Sequence, residues 1–319
     1  MPRLIGLWGW LGVATLFTAP TVSAEDSARW LERMTQAVQE QSYHGSYVYE
    51  RSGIFTTQDI WRQATPDGIQ ERLLQTAGRH QEWLRQDGVL VCATAPVYSQ
   101  ARSPGSAHGL DTGKLTEWYN LRNLGTTRIA SRPVTVIAVH PKDGFRYAHE
   151  LYIDEETGLM LKSLLVDDNR ELLERFQFST ITFDRKAYRS GLKPTSSCLQ
   201  VQALPAKDET VLPVLEPAWL PPGFNLERRQ VQSVRGDDAA LASQIYSDGL
   251  ASFTLFVEPL GGDSLAEDLR AQLGPTVAVS RRLLADDQHF LATVVGEIPP
   301  RAAERIADSL SRPGAGIAR

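Results

Sequence analysis

The chain alternates between two hydrophobic periods, and the places where the period changes outline its architecture. Across 28–41, apolar Trp30, Leu31, Met34, Ala37 and Val38 recur near helical spacing with polar residues between them, which predicts an amphipathic helix. The period then drops to two. Tyr43, Tyr47 and Tyr49 fall on one side of an extended segment, and a second extended segment, 55–62, follows Ser52 and Gly53. Segments 68–75, 81–85, 89–93, 126–130, 134–140, 145–153, 159–166 and 172–183 are rich in β-branched, aromatic or leucine residues. Turn residues punctuate them: Pro66-Asp67-Gly68, Asp87-Gly88, Lys142-Asp143-Gly144 and Glu156-Thr157-Gly158. Strand following strand in this way predicts an antiparallel meander, closed or partly closed as a barrel, rather than alternating β and α units.

Two strands carry finer information. Phe145, Tyr147, His149, Leu151 and Ile153 share one face and Arg146, Ala148 and Glu150 the other, the pattern of a sheet with one wet side. Segment 159–166 is apolar on both faces, so it is either covered from outside or lines a cavity. Residues 95–113 turn to Pro, Ser, Gly, Ala and His and read as a loop, followed by a short helix through Glu117, Trp118, Tyr119 and Leu121.

Periodicity fades across 189–217, where Pro194, Pro205, Pro213 and Pro217 mark a linker. Beyond it, strands at 226–234, 244–246 and 251–257 surround a turn at Ser247-Asp248-Gly249. Ser264 and Glu267 form a capping box, Leu265, Leu269 and Leu273 stand four apart, and Gly274-Pro275 supplies a stop, which together predict a helix. Strands at 277–284 and 290–295 precede a terminal helix started by Pro299-Pro300, with Ala303, Ile306, Ala307 and Leu310 on its apolar side. The expected organisation is mainly β with α (α+β): a large barrel-like domain at 25–190, a linker at 191–216, a small α+β domain at 217–312 and a tail at 313–319.

The first 24 residues stand apart from this pattern. A positive start ending at Arg3, an apolar run from Leu4 to Phe17 and the small residues Val22, Ser23 and Ala24 read as a secretory signal peptide. The run is shorter than the about 20 residues a spanning helix needs. The expectation is a soluble protein exported to the periplasm of a double-membraned bacterium. In that oxidising compartment the two cysteines, Cys92 and Cys198, are candidates for a structural disulfide, the alternative being two buried thiols. No third thiol or paired His/Cys cluster is present to build a zinc site.

A net charge of −5 over 319 residues, without long single-sign runs, argues against a nucleic-acid binder. Catalytic motifs are absent as well: no Gly-x-Ser-x-Gly elbow, no His-Glu-x-x-His, no phosphate loop and no dinucleotide fingerprint. His44, His80, His108, His140, His149 and His289 are isolated, and the acidic pairs Asp167-Asp168, Asp237-Asp238 and Asp286-Asp287 sit at turns. The expectation is therefore a non-enzymatic protein with no catalytic residues, cofactor or metal. The clustering of Tyr43, Tyr47, Tyr49, Phe55 and Trp61 is the one feature that stands out. It is either ordinary barrel core or the wall of an incompletely closed sheet able to admit an acyl chain.

Six segments, in order, carry a resemblance to the MucB/RseB family: Gly125 to Ala130 with Arg132; Arg146-Tyr147 with Asp154, Thr157 and Gly158; Leu172 to Phe178; Trp219-Leu220-Pro221 with Gly223-Phe224; Tyr246 to Leu250; and Val295 to Pro300. The stretches Tyr43 to Glu50 and Phe55 to Trp61 resemble the MucB branch more. The resemblance implies a large N-terminal unclosed half-barrel similar to the lipoprotein carriers LolA and LolB, with helices in its mouth, and a small C-terminal α+β domain. It further implies binding to the periplasmic segment of a membrane anti-sigma factor of the RseA or MucA type, shielding of that segment from the stress protease, and its release when lipid or lipopolysaccharide binds. On this basis Tyr47, Tyr49 and Trp61 are candidates for a lipid cavity, and Tyr246, Leu250 and Phe253 for the partner surface. Self-association into a homo-oligomer is compatible with an exposed apolar cavity. A periplasmic lipid or lipoprotein carrier is the alternative reading.

Overall fold

The structure is a computed structural model that describes residues 24–94, 112–201, 215–233, 240–260, 268–285 and 288–311. Residues 1–23 of the expected signal peptide, 95–111 of the expected loop, the acidic pairs at 237–238 and 286–287, the expected capping box at Ser264 and Glu267 and the expected tail lie outside the described residues. Helix α1 (Ala24–Glu40) opens the chain. Ten strands follow: β1 (Tyr43–Arg51), β2 (Ile54–Thr65), β3 (Gly68–Gln75), β4 (Glu82–Gln86), β5 (Val89–Ala93), β6 (Tyr119–Ile129), β7 (Arg132–Pro141), β8 (Ala148–Asp154), β9 (Met160–Val166) and β10 (Leu172–Thr182). Helix α2 (Thr112–Trp118) leads into β6, and α3 (Arg185–Ser190) follows β10.

These strands, with the short β11 (Leu199–Gln200), form one antiparallel sheet in the order β11-β5-β4-β3-β2-β1-β10-β9-β8-β7-β6. Its end strands do not pair with each other, so the barrel stays open. The β1–β2 connection is a two-residue turn, Ser52 at φ 53° and Gly53 at φ 75°, the left-handed pair that matches strand twist. Helix α1 lies on the concave face because its apolar stripe has nowhere else to go. Leu31, Met34 and Ala37 are at most 2% exposed against Tyr43, Tyr47, Ile60, Leu73, Phe176 and Phe178. The C-terminal end of α1 is held as well: Arg62, itself buried, donates to the Val38 carbonyl and pairs with Glu71 at 2.8 Å.

The expected helix through Tyr119 and Leu121 lies earlier. Helix α2 ends at Trp118, and Tyr119 and Leu121 are the buried, alternating positions of β6, a period of two rather than 3.6.

A second antiparallel sheet runs in the order β13-β14-β15-β18-β17-β16. Its strands are β13 (Asn225–Ser233), β14 (Ala240–Ser247), β15 (Ser252–Pro259), β16 (Arg270–Leu273), β17 (Thr276–Ala285) and β18 (Gln288–Gly296). Helix α4 (Pro300–Asp308) packs Ala302, Ala303, Ile306 and Ala307 against Val277, Val279, Ala292 and Val294. A two-residue ladder joins β12 (Glu216–Pro217) to β19 (Leu310–Ser311). The helix expected at 264–273 is corrected in its described part: 270–273 is the edge strand β16, paired with β17 from Arg270↔Val279 to Leu273↔Thr276. A spacing of four puts leucines on one helix face, but it is an even number, so it also keeps Leu269 and Leu273 on one face of an extended segment. Both are exposed.

The segment after α3 is not free of the first sheet. Strand β11 pairs with β5, Val201 donates its amide to the Val91 carbonyl, and Cys92 and Cys198 form a disulfide with Cα atoms 5.4 Å apart. Fully buried Glu82 accepts from the Thr195 amide at 3.0 Å and from its hydroxyl. No helix among the described residues is long and apolar enough to cross a membrane.

Candidate functional site

Two places gather the residues singled out by the sequence: the concave face under α1, and the junction between the two sheets. On the concave face, Tyr47 is 2% exposed and meets Phe176 and Phe178 at ring-centroid distances of 4.9 and 5.8 Å. Its hydroxyl donates to Gln58 Oε1 at 2.5 Å. Tyr49 packs on the rim of the same core and donates to Glu174 Oε2 at 2.5 Å. Burial holds both hydroxyls protonated by pushing their pKa values up, and the Glu174 carboxylate adds to this at Tyr49. The face is therefore a wall of aromatic rings with satisfied polar tips, filled by Leu31 and Met34 of α1.

Trp61 does not share that wall, which corrects the expected grouping. In the β1–β2 ladder Tyr43 pairs with Arg62 and Tyr47 with Gln58, so odd positions of β1 face the same way as even positions of β2. Trp61 pairs with His44 on the outer side, where the two rings stack at 4.9 Å and the Arg72 guanidinium sits 4.7 Å over the indole. Two surface clefts, about 230 Å³ beside Asp67 and Gln86 and about 160 Å³ beside Val48 and Phe55, are lined by residues other than Tyr47, Tyr49 or Trp61.

At the junction, the loop between β7 and β8 reaches into the second body. Phe145 stacks edge-on against Trp219 at 4.9 Å, and Arg305 caps that pair 4.0 Å over the indole. Arg146 is completely buried. Its Nε donates to Asp248 Oδ2 at 2.7 Å, and its other nitrogens reach Asp143 and the Pro222 carbonyl. Tyr119 donates to the same Asp248 oxygen at 2.8 Å, while Asp248 Oδ1 accepts the Leu250 and Ala251 amides at 2.9 and 2.7 Å. The rings of Trp118, Tyr119 and Phe224 surround the guanidinium at 5.2–5.9 Å. The expectation that Arg146 lies on the wet face of a strand is thus overturned: β8 begins only at Ala148, and Arg146 sits in the turn before it, aimed at a carboxylate of the other body. A second ionic contact has Arg51 between Glu174 and Glu297.

Four of the segments that carried the family resemblance meet here. Arg146-Tyr147 supplies the cation, Tyr246 to Leu250 the carboxylate and its turn, Trp219 to Phe224 the aromatic cradle and a carbonyl, and Val295 to Pro300 the residue Glu297. Gly223 belongs to this site for a steric reason: at φ +88°, a Cβ there would stand 2.3 Å from Trp118 Nε1. Gly223→Ala is expected to cost about 1–3 kcal/mol through overpacking and backbone strain, read as a lowered thermal midpoint; an unchanged midpoint would contradict the close docking.

Beside the junction, burial pushes the His149 imidazole down from 6.5 to about 4, with Asp248 pulling in the opposite direction. The native state then binds fewer protons than the unfolded one between those values, so the contribution is intact above about pH 6.5 and is lost as pH falls towards 4. A denaturation series over that window should show wild type losing more stability than His149→Gln.

The candidate partner residues fall mostly inside. Tyr246 and Phe253 are 3% and 2% exposed and stack on each other at 5.0 Å in the second core, so neither presents surface. They pair across β14 and β15, so they share one face, and that face is the core face. Leu250 is half-buried against the first body's core at the junction. Among the described residues no group of three or more His, Cys, Asp or Glu side chains could hold a metal ion.

The profile of the MucB/RseB N-terminal domain matches residues 26–196, and that of the MucB/RseB C-terminal domain residues 213–311. The chain is similar to the sigma factor AlgU regulatory protein MucB of Pseudomonas aeruginosa, 40% identical over 301 residues that cover 93% of this chain and 95% of that one. It is 28% identical over 331 residues to the sigma-E factor regulatory protein RseB of Escherichia coli K12, covering 95% and 97%. Among solved structures, the Pseudomonas aeruginosa MucA/MucB complex is similar with a TM-score of 0.76 at 39% identity, covering 91% of this chain and all of the matched one.

Proposed function

The chain belongs to the MucB/RseB family, and on that premise we propose that it is a periplasmic, non-enzymatic regulator of a sigma-factor pathway that binds the periplasmic segment of a membrane anti-sigma factor. Bound there, it shields the segment from the first stress protease, and lipid or lipopolysaccharide releases it. The observation that carries this reading is the similarity, along nearly the whole chain, to a protein whose structure is that of a MucA/MucB complex.

The geometry supports a linked mechanism. An acyl chain entering the concave face has to take the volume that Leu31 and Met34 occupy. Helix α1 packs on α2, whose Leu115 is buried in the same core and whose Trp118 touches both Gly223 and the Arg146 cradle. Displacing α1 therefore disturbs the contact that fixes the second body. Lipid and partner then favour different arrangements of one molecule, and a coupling of about 1–3 kcal/mol gives about 5- to 150-fold release.

The test is to mix the mature protein with the periplasmic segment of the anti-sigma factor from the same organism, then add the first stress protease. A stoichiometric complex in which the segment resists cleavage is expected. A segment that is neither bound nor protected, with lipid still captured, would favour the carrier reading.

A further inference from the structure

Helix α3 and the three residues after it carry four cations, Arg185, Lys186, Arg189 and Lys193, all exposed. At 3.6 residues per turn, Arg185, Lys186 and Arg189 fall within an arc of about 100°. Among the described residues none of the four makes an ion pair, whereas Arg51, Arg62, Arg72, Arg132 and Arg146 all do. Arg185 and Arg189 stand four apart, a like-charge spacing that costs a helix stability.

The platform beneath is rigid. Asp184 caps the helix by accepting from the Ala187 amide at 3.0 Å, and Arg72 donates to the Gly191 carbonyl at 2.7 Å. Gly191 lies so close to Trp61 that a Cβ would meet the indole at 2.0 Å, and Leu192 is buried. Every inward feature is thus anchored on the outer side of the sheet, the reverse of the concave face, while the outward cations are left without carboxylates.

We propose that this cationic face of α3 docks the protein onto an anionic bilayer surface through headgroup phosphates. A six-residue convex helix offers no groove in which a peptide could be read, but an arc of point charges fits a plane of phosphates. The surface goes beyond the partner-binding reading and does not depend on it. It would hold the regulator at a membrane with the concave face turned away from the bilayer.

The test uses the mature protein alone, sedimented at physiological ionic strength with vesicles of phosphatidylglycerol and phosphatidylcholine, or of phosphatidylcholine only. Wild type should partition onto the anionic vesicles alone, and added salt should weaken it. Each cation replaced by glutamine should lower partitioning about fivefold, the equivalent of about 1 kcal/mol. The quadruple variant R185Q/K186Q/R189Q/K193Q, with an unchanged thermal midpoint, should lose it. R228Q/R282Q, which removes two exposed cations of the second body, should retain it. Wild type that ignores anionic vesicles, a quadruple variant that sediments as well as wild type, or equal loss in R228Q/R282Q would overturn the proposal. Capture of polyglutamate without vesicle binding would overturn it in favour of an acidic peptide.

Discussion

Asp248→Ala is expected to destabilise the docking of the two bodies by about 3–5 kcal/mol, the range for removing one member of a buried ion pair. Arg146 and Asp248 have no side-chain exposure, so the guanidinium left behind would keep its charge in an apolar cradle of Trp118, Tyr119 and Phe224 with only the partly exposed Asp143 carboxylate to balance it. The Tyr119 hydroxyl and the Leu250 and Ala251 amides would lose their acceptor at the same time. Arg146→Met should cost less, because Asp248 would keep those three donors and the methionine would fill the cradle. Denaturant unfolding followed by tryptophan fluorescence separates the two. Asp248→Ala should split the transition into two steps, one per body, and Arg146→Met should shift it with less splitting. Equal or smaller loss in Asp248→Ala would show that the carboxylate is not the hub of the junction.

The second large effect is expected at the disulfide. Cys92 and Cys198 are 106 positions apart, and in the chain-entropy account closing a loop of about 100 residues restrains the unfolded chain by roughly 4.7 kcal/mol, with measured losses of about 2–5 kcal/mol. What the bond holds locally is thin. Strand β11 is two residues long, and Leu199 and Val201 are exposed apolar residues with little burial of their own. Reduction, or the Cys92→Ser/Cys198→Ser pair, should therefore lower the guanidinium midpoint and speed hydrogen exchange at the Val201 amide, which donates to Val91. The Thr195 amide, tied to buried Glu82, should stay better protected than Val201. An unchanged midpoint with unchanged exchange would mean that the pairing and the Glu82 contact suffice without the covalent link.

The fold was largely legible because its signals are local. Period-two alternation and turn residues marked most strands of both sheets, and the stripe of Leu31, Met34, Ala37 and Val38 marked α1. The errors have a common physical origin: alternation tells which residues share a face within one strand, not which way that face points. Nearness in sequence groups Trp61 with Tyr47, yet the two-residue turn at Ser52-Gly53 sets a register that sends them to opposite sides. Alternation alone extends β8 back over Arg146, whereas the strand starts two residues later. The leucines at 269 and 273 obey helical and strand periods equally.

The junction itself was not legible, since Arg146 and Tyr119 meet Asp248 across 102 and 129 positions. The signal present was indirect: the short motifs that carried the resemblance included both Arg146 and Asp248, as well as Gly223. Their meaning as one contact emerges only in three dimensions. Tyr246 and Phe253 show the converse: candidates for the partner surface, they form the core beneath it.

The proposed linkage couples the concave face and the partner surface through α1 and the Arg146–Asp248 junction. The measurement that tests it most directly is a calorimetric titration of the mature protein with the anti-sigma factor's periplasmic segment, alone and with saturating lipopolysaccharide fragments. Lipid should raise the dissociation constant about 5- to 150-fold, and the bound segment should lower lipid affinity by the same factor. Tight segment binding that lipid leaves unchanged would contradict it.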